Sequence, residues 1–399
     1  MNQTRPLDGV KVLEMGQLLA GPFASCLLGY FGAEIVKIET PHRGDPIRNW
    51  RVVENGTSLW WRSLARNKKC ITVNLREQRG RDLAQRLADQ SDVLIENFRP
   101  GTMEKWGLGP DDLKKTNPNL IYARISGFGQ SGPYAHRPGY ASVCEGIGGL
   151  RYLNGFPGEP PVRMNLSLGD SLAGLHAAFG ILLGLLHRHH THDAAGQVVD
   201  VALYESVFNM LESVVPEYDH SDVIREPSGT TLTGIVPTNT YRCADGKHVI
   251  IGGNGDSIFQ RLMRTVGRPD MADDPKLADN LGRVANEKPI DDAISTWTNS
   301  LDSKQVLSAL EEAAVPSGPI YNAADMFGDP QFNARGLFES VEYDGKSLKI
   351  PALAPKLTET PGRTDWAGPQ IGAHTDEVLE SMLGMDKSEI EALRADGIL

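Results

Sequence analysis

The sequence is poor in cysteine and lacks an excess of positive charge, and each shortage narrows the class of protein. Its four cysteines, Cys26, Cys70, Cys144 and Cys243, are widely spaced and form no Cys-x-x-Cys pair. We therefore expect reduced, mostly buried thiols of a cytoplasmic protein rather than a disulfide framework. The formal net charge of -11 argues against a general nucleic-acid-binding protein.

Long apolar runs are also scarce. The first residues lack the apolar segment of a signal peptide. The most apolar run, 175–186, contains His176 and is too short to span a bilayer. These features predict a cytoplasmic protein with no membrane partner.

What the first half does contain is a regular alternation of strand and helix patterns. The helix patterns cover 23–31 and 80–90. The strand patterns are short and rich in valine, isoleucine and leucine, and they cover 9–15, 34–39, 70–75, 92–97, 120–125 and 196–202. Such alternation favours an α/β fold with a doubly wound parallel sheet.

The loops after these strands are where ligands bind in such sheets. The turn after the first strand, Gly16–Gly21, does not match Gly-x-Gly-x-x-Gly, which argues against a nicotinamide site. A nucleotide-like ligand at the carboxyl ends of the strands remains compatible with the pattern, and a glycine-rich loop, 126–133, follows the fifth strand.

The segment 41–70 reverses the global charge balance. Seven cations face only Asp45 and Glu54, and they are Arg43, Arg48, Arg51, Arg62, Arg66, Lys68 and Lys69. A local basic patch in an acidic protein fits a small phosphorylated ligand. A solvated loop surface is the alternative, and the sequence leaves both open.

The second half predicts a separate unit. We predict a large Rossmann-like domain over 1–215, completed by 365–399, and a linker over 216–229. A hairpin pattern over 239–252 and helix patterns over 258–266 and 303–314 predict a small α+β domain over 230–330. The stretch 331–364 is predicted to be a return linker, and helices are predicted over 375–383 and 388–395.

Asp170 stands before the long apolar helix pattern that continues through Leu186. An aspartate in this place is by default an N-cap that accepts hydrogen bonds from free backbone amides. The same place would hold an ionised carboxylate at the positive end of a helix, ready to act as a nucleophile. The two interpretations are compatible.

A histidine cluster, His187–His192, follows that helix pattern and has Asp193 as its one nearby acidic residue. A solvated helix end, where basic residues favour the helix dipole, explains it better than a metal site. We therefore predict no metal.

Several short motifs occur together in a fixed order. They are Pro6–Glu14, Ala20–Pro22, Gly32–Glu39, Arg66–Lys69, Glu96–Gly101, Ser126–Gly129, Gly169–Asp170, Gly252–Gly255, Pro316–Pro319 and Gly372–Asp376. In this order and spacing the sequence resembles the family III CoA-transferases (the CaiB/BaiF type), which include formyl-CoA transferase and carnitine CoA-transferase. The resemblance covers almost the whole chain.

The resemblance implies that Asp170 is the catalytic aspartate. It also implies a two-domain, ring-shaped subunit interlocked with a second copy in a homodimer. CoA would lie across the large domain at positions that look like the family's contact residues, namely Gln17, Leu18, Val73, Arg76, Asn97, Phe98, Lys105, Arg137 and Tyr140. Thr40 stands where formyl-CoA transferase has an arginine, so Arg43 or another cation of the basic patch is expected to replace that residue.

The expected reaction moves CoA from an acyl-CoA donor to a carboxylic acid acceptor through aspartyl anhydride and aspartyl-CoA thioester intermediates. Water must be kept from both, and Gly252, Gly253 and Gly255 fit a mobile cover whose backbone amides could bind an oxyanion. A hairpin-to-helix turn is the plainer interpretation of these glycines. The CoA thioester is a substrate, and no permanently bound cofactor is expected.

The sequence does not identify the acids. Arg163, Arg137 and His136 are candidate partners for a second carboxylate, so a short dicarboxylate such as succinate is our hypothesis.

Two rival functions remain. An α-methylacyl-CoA racemase needs an acid/base pair and carries a histidine in a Gly-His-Asp segment, whereas this chain reads Gly139-Tyr140-Ala141-Ser142. A non-catalytic CoA-binding protein would not need Asp170 or the glycine loop.

Overall fold

The computed structural model describes residues 4–191 and 195–399, and the chain divides into two compact units. The first comprises Met1–Leu150, Met164–Glu212 and Gln331–Leu399, and the second comprises Arg151–Arg163 and Ser213–Pro330. The strands are β1 Lys11–Glu14, β2 Glu34–Glu39, β3 Val53–Glu54, β4 Thr57–Ser58, β5 Lys68–Thr72, β6 Val93–Glu96, β7 Ile121–Ser126, β8 Val198–Ala202, β9 Thr238–Arg242, β10 His248–Gly252, β11 Ser317–Pro319, β12 Phe338–Tyr343 and β13 Lys346–Pro351.

The helices connect and cover these strands. They are α1 Ala20–Tyr30, α2 Leu59–Leu64, α3 Gln78–Asp89, α4 Thr102–Lys105, α5 Pro110–Leu113, α6 Ala141–Ile147, α7 Leu150–Leu153, α8 Leu168–His190, α9 Leu203–Phe208, α10 Val214–Ser221, α11 Asp256–Thr265, α12 Pro269–Ala272, α13 Asn280–Ala285, α14 Glu287–Thr298, α15 Ser303–Glu312, α16 Ala323–Gly328, α17 Pro330–Ala334, α18 Thr375–Leu383 and α19 Lys387–Ala395.

The first unit is built on a parallel sheet with the strand order β5-β2-β1-β6-β7-β8. Most residues of β1, β2, β5, β6 and β7 are buried, including charged ones such as Lys37 and Arg124, whereas the edge strand β8 is partly exposed. One core lies between the sheet and α3, α18 and α19, with Leu87 and Leu379 fully buried. The other lies between the sheet and α1 and α8, with Ala24 and Ala177 fully buried. The predicted α/β fold with a parallel, doubly wound sheet is therefore confirmed.

The second unit has its own antiparallel sheet, β11-β10-β9, packed on helices around Phe259 and Ile294. The hairpin predicted over 239–252 is confirmed as β9 and β10, and the segment predicted as the 216–229 linker includes most of α10. The segment predicted as a return linker, 331–364, carries the β12–β13 hairpin, which belongs to the first unit with its own small core at Val341 and Ile350. These are the places where the observed units differ most from the predicted boundaries.

Helix α8 is longer than the apolar run in the sequence suggested. It has 23 residues and, by length and composition alone, could cross a membrane. The run was predicted to be too short to span a bilayer, but the helix that contains it is long enough. Within the first unit, however, α8 packs along α1, β7 and β8, as the core helix of a globular fold does.

Candidate active site

The turn after β1 lies at the point where the order of the sheet reverses. The chain places β2 and β5 on one side of β1 and then crosses to β6 on the other side. Gln17 follows β1 and Asn97 follows β6. The Gln17 backbone N–H donates to Asn97 Oδ1 (2.7 Å), and Asn97 Nδ2 donates to the Gln17 carbonyl (2.7 Å). Asn97 thus fixes the turn at the crevice where doubly wound sheets bind ligands.

The next residue, Leu18, has a left-handed backbone with φ of 64°, a conformation that costs a non-glycine residue roughly 1–2 kcal/mol. Its N–H donates to the Asp45 carboxylate (3.0 Å). Asp45 is buried and also lies 3.0 Å from Lys37 Nζ. A buried carboxylate therefore holds this turn in a conformation that the chain would not otherwise favour.

A buried charge network stabilises the turn, because Lys37 Nζ donates to the Gly16 carbonyl as well as to Glu14. The Glu14 carboxylate accepts hydrogen bonds from Lys37 Nζ (2.7 Å), Lys68 Nζ (2.8 Å) and Ser25 Oγ (2.6 Å). Burial by itself would raise the pKa of Glu14, but the two lysines outweigh it and lower that pKa to about 2. The carboxylate is therefore ionised and holds both ammonium groups.

The basic patch of 41–70 is not a charged surface. Arg48 is buried against Glu39, with Nη2 and Oε2 2.6 Å apart, and its guanidinium lies 3.7 Å from the centre of the Trp61 ring. Arg62, Arg66 and Lys68 are also buried. Most of these cations therefore hold the fold together, and only Arg43 and Arg51 among the seven are exposed. The structure therefore fits neither one continuous basic surface nor a fully solvated loop, and the role of Arg43 toward a phosphorylated ligand stays a prediction.

The residues expected to contact CoA follow the carboxyl ends of five strands, with Gln17 and Leu18 after β1. Val73 is buried directly after β5, and Phe98 is half-buried after β6, where it packs edge-on against Trp106 with ring centres 5.1 Å apart. The cations are exposed: Arg43 follows β2, Arg76 follows β5, Lys105 ends α4 and Arg137 lies in the loop after β7. Arg137 stacks on Tyr134 at 3.7 Å. In the described part of the chain, no ion pair engages Arg43, Arg76 or Lys105.

The glycine-rich loop after β7 is held by a backbone-to-backbone contact. A Cβ on Gly127 would lie 2.8 Å from the Gly139 Cα, and a Cβ on Gly139 would lie 2.9 Å from the Gly127 Cα. Only glycine fits at both places. This contact brings Tyr140, which is 72% exposed and precedes α6, back to the end of β7.

Asp170 is the third residue of α8 and is half-buried. The N-cap interpretation is wrong, because Ser167 occupies that position and its side chain caps nothing. Glu145 takes over the capping: its Oε1 accepts a hydrogen bond from the Gly169 N–H (3.2 Å). Glu145 is buried. The N-terminus of α8 therefore stabilises two neighbouring carboxylates, Asp170 and Glu145.

The charges of both carboxylates affect the pKa of the nearby Cys144 thiol. Burial, together with the charges of Asp170 and Glu145, raises the pKa of the Cys144 thiol to about 11, and its Sγ–H points to the Gly127 carbonyl (3.3 Å). The thiol stays protonated near neutral pH and cannot compete as a nucleophile. The four cysteines are free and buried, as the sequence predicted.

The packing of α8 on α1 sets where Asp170 lies relative to the turn after β1. At Gly174, one turn after Asp170, a Cβ would lie 2.7 Å from the Ala20 carbonyl oxygen. Ala20 is the first residue of α1 and follows the Gln17–Leu18 turn. The small residues of α8 therefore allow the two elements to approach closely.

The glycine loop Gly252–Gly255 lies in the second unit. The N–H groups of Gly252 and Gly253 already donate to the carbonyls of Pro316 and Pro237, both at 2.9 Å. Gly255 is the N-cap of α11. The expectation of unobstructed amides therefore narrows to Asn254 and Gly255, for which the structure gives no acceptor among the described residues. The covering role stays a prediction.

The structure offers no added support for a racemase histidine at His136 or for a metal site at the histidine cluster. His136 is exposed in the loop after β7. His189 and His190 lie at the end of α8, while His192 and Asp193 fall outside the described residues. Among residues 4–191 and 195–399, no group of three or more histidine, cysteine or acidic side chains is placed to hold a metal ion.

Comparison with known proteins identifies the family. A family model described as CoA-transferase family III matches residues 7–375. The chain belongs to CoA-transferase family III. It is 44% identical to a succinyl-CoA–D-citramalate CoA-transferase of Chloroflexus aurantiacus, over 99% of this chain and 98% of that relative. It is 32% identical to human succinyl-CoA:glutarate CoA-transferase, over 100% of this chain and 91% of that relative.

Solved structures show the same fold. A CaiB/BaiF family protein from Brucella suis superposes with a TM-score of 0.83 at 33% identity, covering 95% of this chain and 100% of that one. The family predicted from the sequence motifs is thus confirmed, and the protein is an enzyme that transfers CoA.

Sequence reasoning assigned no role to Asp45 or Glu145, which position the turn after β1 and the first turn of α8. Asp45 lies in a Gly-Asp-Pro turn, a signal of a structured loop that could have drawn attention to it. Glu145 lies 24 residues before Gly169, with which it pairs, and no local pattern announces such a contact.

Proposed function

We propose that this enzyme transfers CoA from a succinyl-type acyl-CoA to a second short carboxylic acid, with Asp170 as the nucleophile. The observation that carries the proposal is the place of Asp170: a half-buried carboxylate in the first turn of α8, beside the buried Glu145. The relatives named above use succinyl-CoA, which supports a short dicarboxylate as one partner.

The first half of the reaction releases the donor acid. A carboxylate oxygen of Asp170 attacks the thioester carbonyl, the C–S bond breaks, and CoA leaves as a thiolate. The thiolate then attacks the aspartyl carbonyl of the mixed anhydride, the C–O bond breaks, and the first acid departs as its carboxylate. Asp170 is left as an aspartyl-CoA thioester.

The second half reverses these steps. The acceptor carboxylate attacks the aspartyl thioester and displaces the thiolate. The thiolate attacks the acceptor's acyl carbon, which forms the new acyl-CoA and returns Asp170 to its carboxylate form. Each intermediate keeps an acyl carbon open to the next nucleophile, so water must be excluded throughout. We assign this covering role to the Gly252–Gly255 loop.

Coenzyme A would bind at the carboxyl edge of the parallel sheet. Gln17 and Leu18 line the crevice between β1 and β6, and Arg43, Arg76, Lys105 and Arg137 supply positive charge for the phosphates. Arg43 takes the place of the arginine that Thr40 replaces. No metal or permanently bound cofactor is needed for this chemistry.

We also propose a homodimer, interlocked as the family resemblance implies, and a cytoplasmic location. Support for the dimer comes from the exposed apolar face of α8, where Leu175, Phe179, Leu182 and Leu186 are 41–59% exposed. Beside it lies a groove of about 280 Å³ lined by Leu27, Phe31 and Pro355. Apolar surface of this extent favours a partner. Light scattering tests the dimer, and a monomer in solution would contradict it.

The function is tested by assaying wild type and Asp170→Asn with succinyl-CoA and a panel of mono- and dicarboxylic acids. We expect new acyl-CoA from wild type only, with a loss of at least about 10³-fold in the variant, because a carboxamide cannot act as the nucleophile. Exchange of deuterium at the α-carbon of a branched acyl-CoA, without CoA transfer, would instead support the racemase alternative.

A further inference from the structure

We propose that Arg51 selects dicarboxylic acyl groups by binding the carboxylate at their far end. The proposal rests on the proposed function, since it names the part of the site that recognises the acyl group. It starts from a cavity of about 480 Å³ in the first unit, next to the helix that carries Asp170.

The cavity meets the first turn of α8. Ser167 and Leu168, which precede Asp170, and Ser171, which follows it, are among the lining residues. Most of the remaining wall is apolar and includes Phe23, Trp60 and Leu353. Such a chamber suits the methylene chain of an acyl group whose thioester carbon is held at Asp170.

Two guanidinium groups line the cavity, and one of them is fully used by the fold. Arg66 is buried, and its Nε, Nη1 and Nη2 donate to the Ser63 carbonyl, the Pro351 carbonyl and Ser63 Oγ, each at 2.7 Å. Arg66 also faces Glu339 at 3.5 Å. Its donors are therefore not available to a ligand.

Arg51, the second guanidinium in the lining, differs from Arg66 in its exposure and in its contacts. Its guanidinium lies 5.2 Å from the centre of the Trp60 ring. Within residues 4–191 and 195–399 the structure gives it no hydrogen bond and no ion pair. An aromatic ring orients a guanidinium without consuming its N–H donors, so the donors of Arg51 stay available to a ligand in the cavity that this residue lines.

The backbone at Arg51 supports a functional reason for its position. Its φ of 61° is left-handed, which is unusual for a long side chain and costs free energy wherever it occurs. Arg51 thus has a strained backbone conformation. An apolar chamber with one oriented, unpaired cation matches a ligand with an apolar chain and a terminal carboxylate, the chemistry of a succinyl group.

Arg51 replaces the partners that the sequence suggested for this carboxylate. Arg137, His136 and Arg163 are not among the residues that line this cavity.

The test compares succinyl-CoA with butyryl-CoA, which has the same chain length but ends in a methyl group. In Arg51→Gln we expect kcat/KM for succinyl-CoA to fall roughly 10- to 100-fold, the effect of one charge-assisted hydrogen bond. The value for butyryl-CoA stays within about twofold of wild type. Arg335→Gln removes an exposed arginine outside the cavity and leaves both values unchanged.

An equal loss with both donors, or an unchanged ratio, would overturn the proposal. Succinate binding, followed by tryptophan fluorescence, separates this failure from a failure of the proposed function. If the wild type transfers no CoA, succinate binding that is lost in Arg51→Gln still supports the carboxylate site. If succinate does not bind to the wild type, or binds equally well to the variant, the site is refuted.

Discussion

At the scale of single residues, the site is organised by side chains that do not themselves react. Asn97 uses both ends of its amide to fix Gln17, and Asp45 holds Leu18. Glu145 fixes the first turn of α8 through the Gly169 N–H. Catalysis depends on such placement because a misplacement of about 1 Å can cost about 100-fold in rate.

Glu145 offers the clearest test of whether catalysis depends on how the first turn of α8 is positioned. Glu145→Ala removes the acceptor for the Gly169 N–H, so we expect kcat to fall roughly 10- to 100-fold, with a loss of about 1 kcal/mol of folding free energy. Glu145→Gln keeps an acceptor oxygen, and we expect it to restore most of kcat. Steady-state kinetics and urea unfolding measure the two effects. If Gln were as impaired as Ala, the charge of Glu145 rather than its hydrogen bond would matter.

At the scale of elements, the close packing of α8 on α1 links Asp170 to the turn that borders the crevice proposed for CoA. Gly174→Ala would place a methyl group 2.7 Å from the Ala20 carbonyl. Because a carbonyl on a helix cannot move alone, we expect a cost of about 1–3 kcal/mol and a lower kcat.

The matched control is Gly146→Ala in α6, where a Cβ would meet nothing within 4 Å. Since alanine favours a helix over glycine, this variant should be about 0.5–1 kcal/mol more stable than wild type. Thermal unfolding of both variants measures the difference. Equal stability of the two would mean that the packing of α8 on α1 is not tight.

The strands show which parts of the fold could be predicted from the sequence and which could not. The parallel sheet was predicted because strand and helix patterns alternate along the first half of the chain, although β2 and β7 also carry buried charged residues, among them Lys37 and Arg124. The β12–β13 hairpin was missed, although Asp344 and Gly345 have φ values of 47° and 74° and form the turn that an Asp-Gly pair favours. Its strands alternate charged and apolar residues and contact β3, where Tyr343 and Lys346 bond to Glu54.

For the candidate site, the sequence motifs predicted which loops contribute, but they could not predict how the charges of those loops pair. The arginines and lysines of 41–70 looked like one basic patch. Their partners Glu14 and Glu39 lie on other strands, and Asp344 lies 282 residues beyond Arg62. Pairings of this kind depend on the tertiary fold, so local patterns could not separate the buried Arg48 from the exposed Arg51.

At the scale of the whole molecule, the buried network at Glu14 ties stability to pH. The folded-state pKa of Glu14 is about 2, below its ordinary value of 4.5. A carboxyl whose pKa is lowered by folding stabilises the protein fully above its unfolded pKa. That contribution is lost as the pH falls from about 4.5 toward 2.

We expect Glu14→Gln to destabilise the protein by roughly 3–5 kcal/mol at neutral pH, because it leaves Lys37 and Lys68 buried without their shared carboxylate. Its stability should also depend less on pH below 4.5. The control is Glu34→Gln on the neighbouring strand, whose partner Lys69 is partly exposed, and whose loss should cost under about 1 kcal/mol. Urea unfolding across this pH range measures both. Equal costs for the two variants would contradict the structural role of the network.

The most direct test of the account is to look for the covalent intermediate. The enzyme is incubated with succinyl-CoA in the absence of an acceptor acid, and the masses of the intact protein and of its peptides are measured beside Asp170→Ala. We predict an acyl or CoA adduct on the peptide that contains Asp170 and none on the variant. CoA transfer by the Asp170→Ala enzyme, or an adduct on a different residue, would contradict the assignment of Asp170 as the nucleophile.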